Sequence, residues 1–468
     1  MPSSKPGLVL LSTGMSVFAV FLDTSILYVA FPSISAAFPD STASGLAWVL
    51  NAYTVVFAAV LIPAGRIADR IGRRRMFLGA VIAFTAASVL CGVAPSVELL
   101  VVGRVLQALG AAAMVPSSLA LVLQTFPAPE QPRAIAIWGA IGGVAGAAGP
   151  TLGSIVIQTL GWPWVFFINV PVGIASYLLG RRVLPEGRES VRGRIPDPWS
   201  IALVIAAVSA LSYGVVQTER VGWLSGVLGL SVGVAVVLGA VFVWRSSRID
   251  NAVLDLELLS SAGFRWANLA TCVYSAGFGV VFLCNVLFTT EIWDYSVIQA
   301  GFAIAIGPAI VAVLAPRFGK LAGRVGQRRI LIPGGLVWAS APAYFILMAT
   351  EHPQYLAHYL PAQVLGAIGV AMVMPQLNSA AVRDLPQDQL GQGAAASQAA
   401  RNIGTTIGVS VAIAMVAATG GIAGFHHAWT FAIGTGLVVT LLAFLLPRHT
   451  RQVEPAVESP TILTDDRR

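Results

Sequence analysis

Long apolar segments alternate with short polar connections over almost the whole chain. Each segment is long enough for a helix across a bilayer, which needs about 20 apolar residues. Fourteen such runs lie at about 8–31, 46–64, 77–94, 97–121, 134–157, 164–183, 199–218, 223–244, 264–289, 298–316, 330–349, 355–377, 394–418 and 427–446. The pattern predicts an all-α, polytopic membrane protein with fourteen transmembrane helices.

Basic residues are concentrated on one side of the predicted bundle. The connections after the second, sixth, eighth and tenth runs carry Arg66, Arg70, Arg73, Arg74, Arg75, Arg181, Arg182, Arg188, Arg192, Arg194, Arg245, Arg248, Arg317, Lys320, Arg324, Arg328 and Arg329. The connections on the other side hold mainly acids, with Arg220 as an exception. Because basic loops stay in the cytoplasm, we expect a multi-pass protein of the inner (cytoplasmic) cell membrane with both termini cytoplasmic.

Composition excludes a soluble globular enzyme. Of the 468 residues, 56% are hydrophobic and 10% are charged, whereas soluble domains carry about 25% charged residues. The net charge of +7 would suggest a nucleic-acid partner in a soluble protein, but the topology of a membrane protein explains it better. We therefore expect a lipid bilayer around the chain and no nucleic-acid partner.

Nothing in the sequence predicts a metal, a nucleotide or another cofactor. The three cysteines are Cys91, Cys272 and Cys284, and no Cys-x-x-Cys or Cys/His cluster offers metal ligands. The two lysines, Lys5 and Lys320, are not part of the Gly-Lys-Ser/Thr sequence that binds ATP phosphates. Active transport would therefore draw on an ion or solute gradient.

The chain contains an internal repeat. The segment Gly65–Arg75 is similar to Gly319–Arg329, 254 positions later, and Leu106–Pro116 is similar to Leu365–Pro375, 259 positions later. The nearly equal offsets predict two six-helix halves in parallel orientation. Parallel repeats around a central site are an architecture of transporters.

The repeat divides the chain into four parts. Residues 1–183 form the N-terminal six-helix bundle, and 264–446 form the C-terminal bundle. Between them, 184–263 holds a cytoplasmic linker and two extra transmembrane helices. The polar segment 447–468 is predicted to be a flexible cytoplasmic tail.

Asp23 and Arg104 are charged residues inside predicted spans. Asp23 is about 15 residues, or roughly 22 Å, from the cytoplasmic end of the first span, and Arg104 is about 10 Å below the outer surface in the fourth. A carboxylate at that depth is costly unless it is paired, hydrated or protonated, so it has a reason to bind a proton. A nearby arginine would favour release of that proton. A purely structural role remains open for both residues.

Polar and aromatic residues at helical spacing predict cavity-lining faces in the fourth and ninth runs. The candidate cavity residues are Gln107, Met114, Asn268, Thr271, Ser275, Phe278, Phe282 and Asn285. Such a face is poorly placed against lipid, so it should face the bundle interior or a water-filled cavity. A polar interface between helices is the alternative.

Small residues predict close helix packing in the fifth run. The candidate packing residues are Gly142, Gly146, Gly149, Pro150 and Gly153. Glycines four residues apart let two helix backbones approach closely.

Five segments resemble motifs of the major facilitator superfamily and, within it, of the fourteen-span drug:proton antiporters. They are Leu22–Pro32, Gly65–Arg75, Gly103–Gln107, Gly146–Gly153 and Trp162–Pro171. The resemblance covers nearly the whole chain. It implies a major facilitator fold, with two six-helix halves and two extra central helices.

The resemblance also implies roles for particular residues. Asp23 and Arg104 would couple transport to protons, and the glycines of the fifth run would belong to an antiporter motif. A cytoplasmic gate would be formed by Gly65, Asp69, Arg70, Gly72 and Arg73. The alternative is that these arginines only set the topology.

These observations predict a transporter and not an enzyme. We expect a monomer that exports small hydrophobic or cationic drug-like compounds in exchange for protons, by alternating access of its two halves. Export of an endogenous metabolite or lipid is an alternative, as is nutrient symport. An integral-membrane enzyme is disfavoured because no paired acidic motif lies at a predicted membrane surface.

Overall fold

The computed structural model describes residues 6–127, 130–185, 197–221, 225–249, 256–383, 385 and 390–447, in which all regular structure is helical. The helices are α1 (Pro6–Ala37), α2 (Ala43–Ile71), α3 (Arg73–Gly92), α4 (Val97–Thr125), α5 (Gln131–Leu160), α6 (Trp164–Phe167), α7 (Asn169–Val183), α8 (Pro198–Val221), α9 (Gly226–Ser246), α10 (Ala262–Leu287), α11 (Val297–Val325), α12 (Gln327–Met348), α13 (Leu360–Val382), α14 (Leu390–Thr419) and α15 (Gly421–Leu445). A 3₁₀ turn precedes α10 at Leu256–Ser260, and π-helical turns lie at Phe288–Ile292 and Tyr355–Tyr359.

Each of the fourteen apolar runs coincides with a helix, and the sixth coincides with the pair α6 and α7. Twelve helices of the described residues are long and apolar enough to cross a membrane as they stand. In α2 the apolar part is shorter, Gly45–Leu61, and α5 is bent by 43° between Ile137–Gly146 and Ala148–Leu160. The chain is therefore a multi-pass, all-helical membrane protein. Residues 186–196, in the predicted cytoplasmic linker, and residues 448–468, in the predicted tail, lie outside the described ranges.

Hydroxyl side chains begin several helices. Thr42 Oγ1 accepts from Gly45 N over 3.0 Å at the start of α2. Ser296 and Gln299 form a reciprocal capping box at the start of α11. These contacts satisfy amide groups that have no partner in the first turn. The helix starts are thus encoded locally.

The two halves share one packing scheme. In the first half α1 packs against α5 and α7, and α4 packs against α2 and α3. In the second half α10 packs against α14 and α15, and α13 packs against α11 and α12. The repeated turns also agree, since Gly72 and Gly326 both adopt positive φ, 103° and 91°. This backbone region favours glycine.

Glycines at equivalent positions of the repeat hold two helix pairs together. A Cβ atom at Gly110 of α4 would lie 2.7 Å from the backbone nitrogen of Phe84 in α3. A Cβ atom at Gly369 of α13 would lie 2.6 Å from the Cα of Trp338 in α12. Only glycine permits these approaches, as expected for helices that pack through small residues in a membrane.

The two extra helices lie at the junction of the halves. Helix α8 packs against α2 of the first half, α14 of the second and its own partner α9. At the base of this hairpin Asp197 accepts hydrogen bonds from Ser200 N over 3.0 Å and from Arg245 Nε and Nη2 over 2.5 and 3.0 Å. The Arg245 guanidinium, together with Ser200, holds the pKa of Asp197 well below its usual range.

Replacing Asp197 with alanine should destabilise the α8–α9 hairpin by about 1 kcal/mol or more, because the helix loses its N-cap and Arg245 loses its partner. A carboxyl group whose pKa is lowered by folding stabilises the fold at pH values above its pKa in the unfolded chain, which is near 4. The difference in stability between the variant and the wild type should therefore be largest at pH 7 and decrease below about pH 4. Thermal unfolding in nanodiscs measures it, with Arg248→Ala at an exposed arginine as the matched control. Equal melting of Asp197→Ala and wild type at pH 7 would contradict it.

Candidate proton-coupling and substrate site

Asp23 lies at the centre of a buried polar network in the first half. Its side chain is 1% exposed, and Arg104 Nη1 donates to its Oδ2 over 2.6 Å. Gln107 Nε2 and Asn169 Nδ2 donate to Oδ1 over 2.7 and 2.9 Å. All these groups are donors, which suits an ionised carboxylate. The structure thus brings the two charged residues predicted from the sequence into one ion pair.

Arg104 also connects this pair to α2. Its Nε donates to the carbonyl of Val49 over 3.3 Å, and its guanidinium carbon lies 4.2 Å from the centre of the Tyr53 ring. The second distance is that of a cation–π contact. Its Nη1 donates to Gln107 Oε1 as well. A change in the charge of Asp23 would therefore alter the forces between α1, α4 and α2.

Asn169 reaches Asp23 from the first residue of α7, within the sixth span. Helix α6 ends at Phe167 and α7 begins at Asn169, two residues before Pro171. Ser88 of α3 accepts from Gln107 Nε2 over 2.9 Å and from Asn169 Nδ2 over 3.4 Å. Sequence reasoning did not assign Asn169 or Ser88 to the site. The available signal was an asparagine in an apolar run, just before a proline.

The predicted gate residues lie at the end of α2 and the start of α3. Gly72 forms the turn between these helices, and Gly65 is half-buried on α2. Arg70 is exposed, and Arg73 is half-buried in the first turn of α3. The side chain of Asp69 lies outside the described residues. The latch between Asp69 and the arginines therefore stays a prediction.

The eight predicted cavity residues divide by exposure. Those buried between helices are Gln107, Met114, Thr271, Ser275 and Asn285. Those that are partly exposed are Asn268, Phe278 and Phe282. The rings of Phe278 and Phe282 stack with centroids 5.7 Å apart. Gln107 serves the Asp23 network, and a substrate cavity lined by the other seven residues stays a prediction.

The glycines of α5 face α1 at most of the predicted positions. A Cβ atom at Gly142 would lie 3.0 Å from Phe21, and Gly149 and Gly153 lie directly against α1 at Ser25 and Ile26. The backbone carbonyl of Pro150 faces α11 of the second half. A Cβ atom at Gly146 would have no neighbour within 4 Å. Three of the four glycines thus let α1 and α5 approach closely.

We call the end of the helix bundle that carries the arginine-rich loops the basic end, and the other end the opposite end. Side-chain contacts join the two halves toward the opposite end. Asn51 Nδ2 of α2 donates to Ser410 Oγ of α14 over 2.8 Å, and the hydroxyls of Thr54 and Thr406 are 2.6 Å apart. The ring of Tyr28 on α1 meets that of Phe282 on α10, with centroids 4.9 Å apart.

Arg401 is a further charged residue inside a span, which sequence reasoning left without a role. It is half-buried on α14, and its Nη2 donates to Asn378 Oδ1 of α13 over 2.5 Å. It also interacts electrostatically with the Tyr274 hydroxyl of α10. The signal was present in the sequence, since an arginine within an apolar run needs an explanation as much as Asp23 does.

Known proteins resemble this chain over most of its length. A family model described as Major Facilitator Superfamily matches residues 13–264 and 267–465. Multidrug resistance protein Stp from Mycobacterium tuberculosis is 34% identical over 413 residues, covering 88% of this chain and 76% of that protein. Puromycin resistance protein pur8 from Streptomyces alboniger is 30% identical, covering 91% and 88%. Multidrug export protein EmrB from Escherichia coli is 29% identical, covering 86% and 79%.

Solved structures show the same fold. The crystal structure of a D-xylose-proton symporter superposes with a TM-score of 0.67 at 15% identity and covers 94% of this chain and 98% of that one. At this identity the likeness establishes the architecture alone. Together with the family match, it shows that the chain belongs to the Major Facilitator Superfamily and is a membrane transporter, not an enzyme.

Proposed function

We propose that the protein exports hydrophobic or cationic drug-like compounds in exchange for protons, by alternating access between its two halves. The relatives named for multidrug or puromycin resistance support this class of substrate. In this proposal α2 and the bent α5 join the twelve other spans to make fourteen, and the six-helix bundles are 1–183 and 264–446. The arginine-rich loops and both termini face the cytoplasm.

The observation that carries the proposal is the buried ion pair between Asp23 and Arg104. A proton that binds Asp23 cancels its charge and leaves the arginine without a counter-ion. An uncompensated charge in a buried site is strongly unfavourable, so the network must rearrange or the proton must leave. Proton binding and a local conformational change are therefore coupled at this site.

The contacts of Arg104 give this change a route to the second half. The arginine holds α2 at Val49 and Tyr53. Asn51 and Thr54, which join α2 to α14, lie on the same stretch of helix. Release of Arg104 from Asp23 would thus alter the helix that closes the opposite end of the transporter. A two-state element that both ligands bias is what antiport requires.

The packing of the halves supports a conformation that opens at the basic end. Near the opposite end α11 touches α5, where Gly301 lies against Pro150 and Ser154. Farther along both helices, a Cβ atom at Gly143 of α5 or at Gly319 of α11 would have no neighbour within 4 Å. Contact at one end and open space beside these glycines at the other favour a cavity that faces the cytoplasm.

Transport in proteoliposomes tests the proposal. With an acidic lumen and inside-out protein, ethidium or neutral pyrenebutanol should accumulate, and a protonophore should abolish accumulation. ATP without a gradient should have no effect, because the chain lacks the Gly-Lys-Ser/Thr sequence of ATP-binding loops. Protein-free liposomes correct for partitioning of the dyes. Accumulation that persists after the proton gradient collapses would contradict proton coupling.

A further inference from the structure

The second half carries a positive charge in its interior that has no counter-ion among the described side chains. Arg401 lies five residues from Thr406, about 7.5 Å along α14 toward the basic end. It is therefore on the open side of the contact that closes α14 against α2. Its described polar side-chain partner is the neutral amide of Asn378.

The charges of the membrane interior do not balance. Away from the helix ends, the described charged side chains are Asp23, Arg104 and Arg401. Asp23 is already occupied by Arg104, Gln107 and Asn169. One positive charge remains, at Arg401. An intramembrane arginine without an acid is costly to keep, and its charge repels cations and attracts anions.

Two buried donors in this half have no hydrogen-bond partner among the described residues. The buried hydroxyl of Tyr274, an electrostatic neighbour of Arg401, has no hydrogen-bond partner among the described residues. The same holds for the indole N–H of Trp338, whose ring lies 5.2 Å from that of Tyr274. Hydroxyl and indole groups that are buried normally have partners. Each of these two groups can donate to an oxygen acceptor, as the guanidinium does, and we call the three the donor cluster.

An aromatic surface continues from this cluster. Phe278 packs against both Tyr274 and Trp338, with centroids 6.3 Å from each, and stacks on Phe282. Phe282 in turn meets Tyr28 of the first half. A flat apolar body would lie along these rings, with its polar end at the arginine.

We infer that Arg401 is a specificity-determining residue that binds an anionic oxygen group, such as a carboxylate or a phenolate, on an aromatic substrate. The inference rests on the proposed export function and changes its substrate class: the unbalanced positive charge disfavours the cationic compounds of that proposal and favours hydrophobic aromatic acids. The guanidinium fork suits the geometry of a carboxylate, and the unpaired donors complete its coordination.

Equilibrium binding of three pyrene probes to the purified protein in nanodiscs tests this inference. The probes are 1-pyrenebutyrate, neutral 1-pyrenebutanol and cationic 1-pyrenemethylamine, and energy transfer from tryptophan reports binding; empty nanodiscs correct for partitioning. The wild type should bind the butyrate most tightly. Arg401→Gln, which still offers Asn378 a donor, should weaken butyrate binding roughly tenfold or more, the effect of losing a hydrogen bond to a charged group. It should leave butanol binding unchanged.

Further variants keep the test independent of folding. Arg401→Lys retains the charge and should keep most of the preference for the acid. Tyr274→Phe removes only an unpaired hydroxyl and should weaken butyrate binding several-fold. Arg265→Gln, at an exposed arginine near the start of α10, should bind like the wild type.

Two results would overturn the inference. One is an unchanged butyrate-to-butanol ratio in folded Arg401→Gln, which would make Arg401 a structural tie to α13. The other is tightest binding of the cationic probe by the wild type. Binding requires no gradient, so these results are separate from a failure of proton-driven export, which would show as loss of pyrenebutanol accumulation in wild-type proteoliposomes.

Discussion

Proton-driven accumulation should be lost when Asp23 is replaced by asparagine, while exchange of substrate down its own gradient survives. The asparagine cannot bind and release a proton, and downhill exchange needs no proton release. The single variant leaves Arg104 buried without its counter-ion, which costs about 3–5 kcal/mol for a broken buried pair. The double variant Asp23→Asn/Arg104→Gln removes both charges and keeps polar groups in the network, so it should fold better and be equally defective.

Proteoliposomes separate these activities. Uphill transport driven by a proton gradient is compared with counterflow in the absence of a gradient, after size-exclusion chromatography has confirmed the fold. Asp40→Asn, at an exposed acid between α1 and α2, is the matched control and should behave like the wild type. Normal uphill transport by the double variant would place the proton site elsewhere. Glu291 and Asp294, which lie just beyond the end of α10, would then be tested.

A disulfide between α2 and α14 should stop transport completely. In the structure the hydroxyls of Thr54 and Thr406 are 2.6 Å apart. Cysteines substituted at these two positions would therefore be close enough to form a disulfide bond. Alternating access requires the halves to separate here, so oxidised Thr54→Cys/Thr406→Cys should be locked open at the basic end. Reduction should restore transport, because the cross-link is the only obstacle.

The native cysteines make this experiment interpretable. Cys91 and Cys284 are buried and Cys272 is half-buried, so each single variant under the same oxidant reports any background reaction. The proportion of cross-linked chains, measured by mass spectrometry, should match the proportion of activity lost. Full transport by cross-linked protein would show that α2 and α14 stay together throughout the cycle, and alternating access at this contact would be abandoned.

The buried network shows where prediction from the sequence ended. The depths of Asp23 and Arg104 followed from counting residues along two helices, and the structure places the two side chains in contact. Gln107 was expected to line a cavity because it shares a face with Arg104, but the structure turns it to Asp23 and Ser88. Residue spacing identifies a common face of a helix, whereas the packing of neighbouring helices decides what that face meets.

The sequence by itself determined the membrane location, the helices and the repeat. Apolar length, the distribution of arginines and similarity between segments are local properties that need no knowledge of packing. Tertiary structure alone decided that Asn169 completes the site of Asp23, 146 positions away, and that α2 closes on α14. It also placed the guanidinium of Arg401 in contact with Asn378. These contacts depend on how each helix is rotated and tilted against its neighbours. In a bilayer, the rotation and tilt of a helix are set by close packing against several neighbouring helices at once.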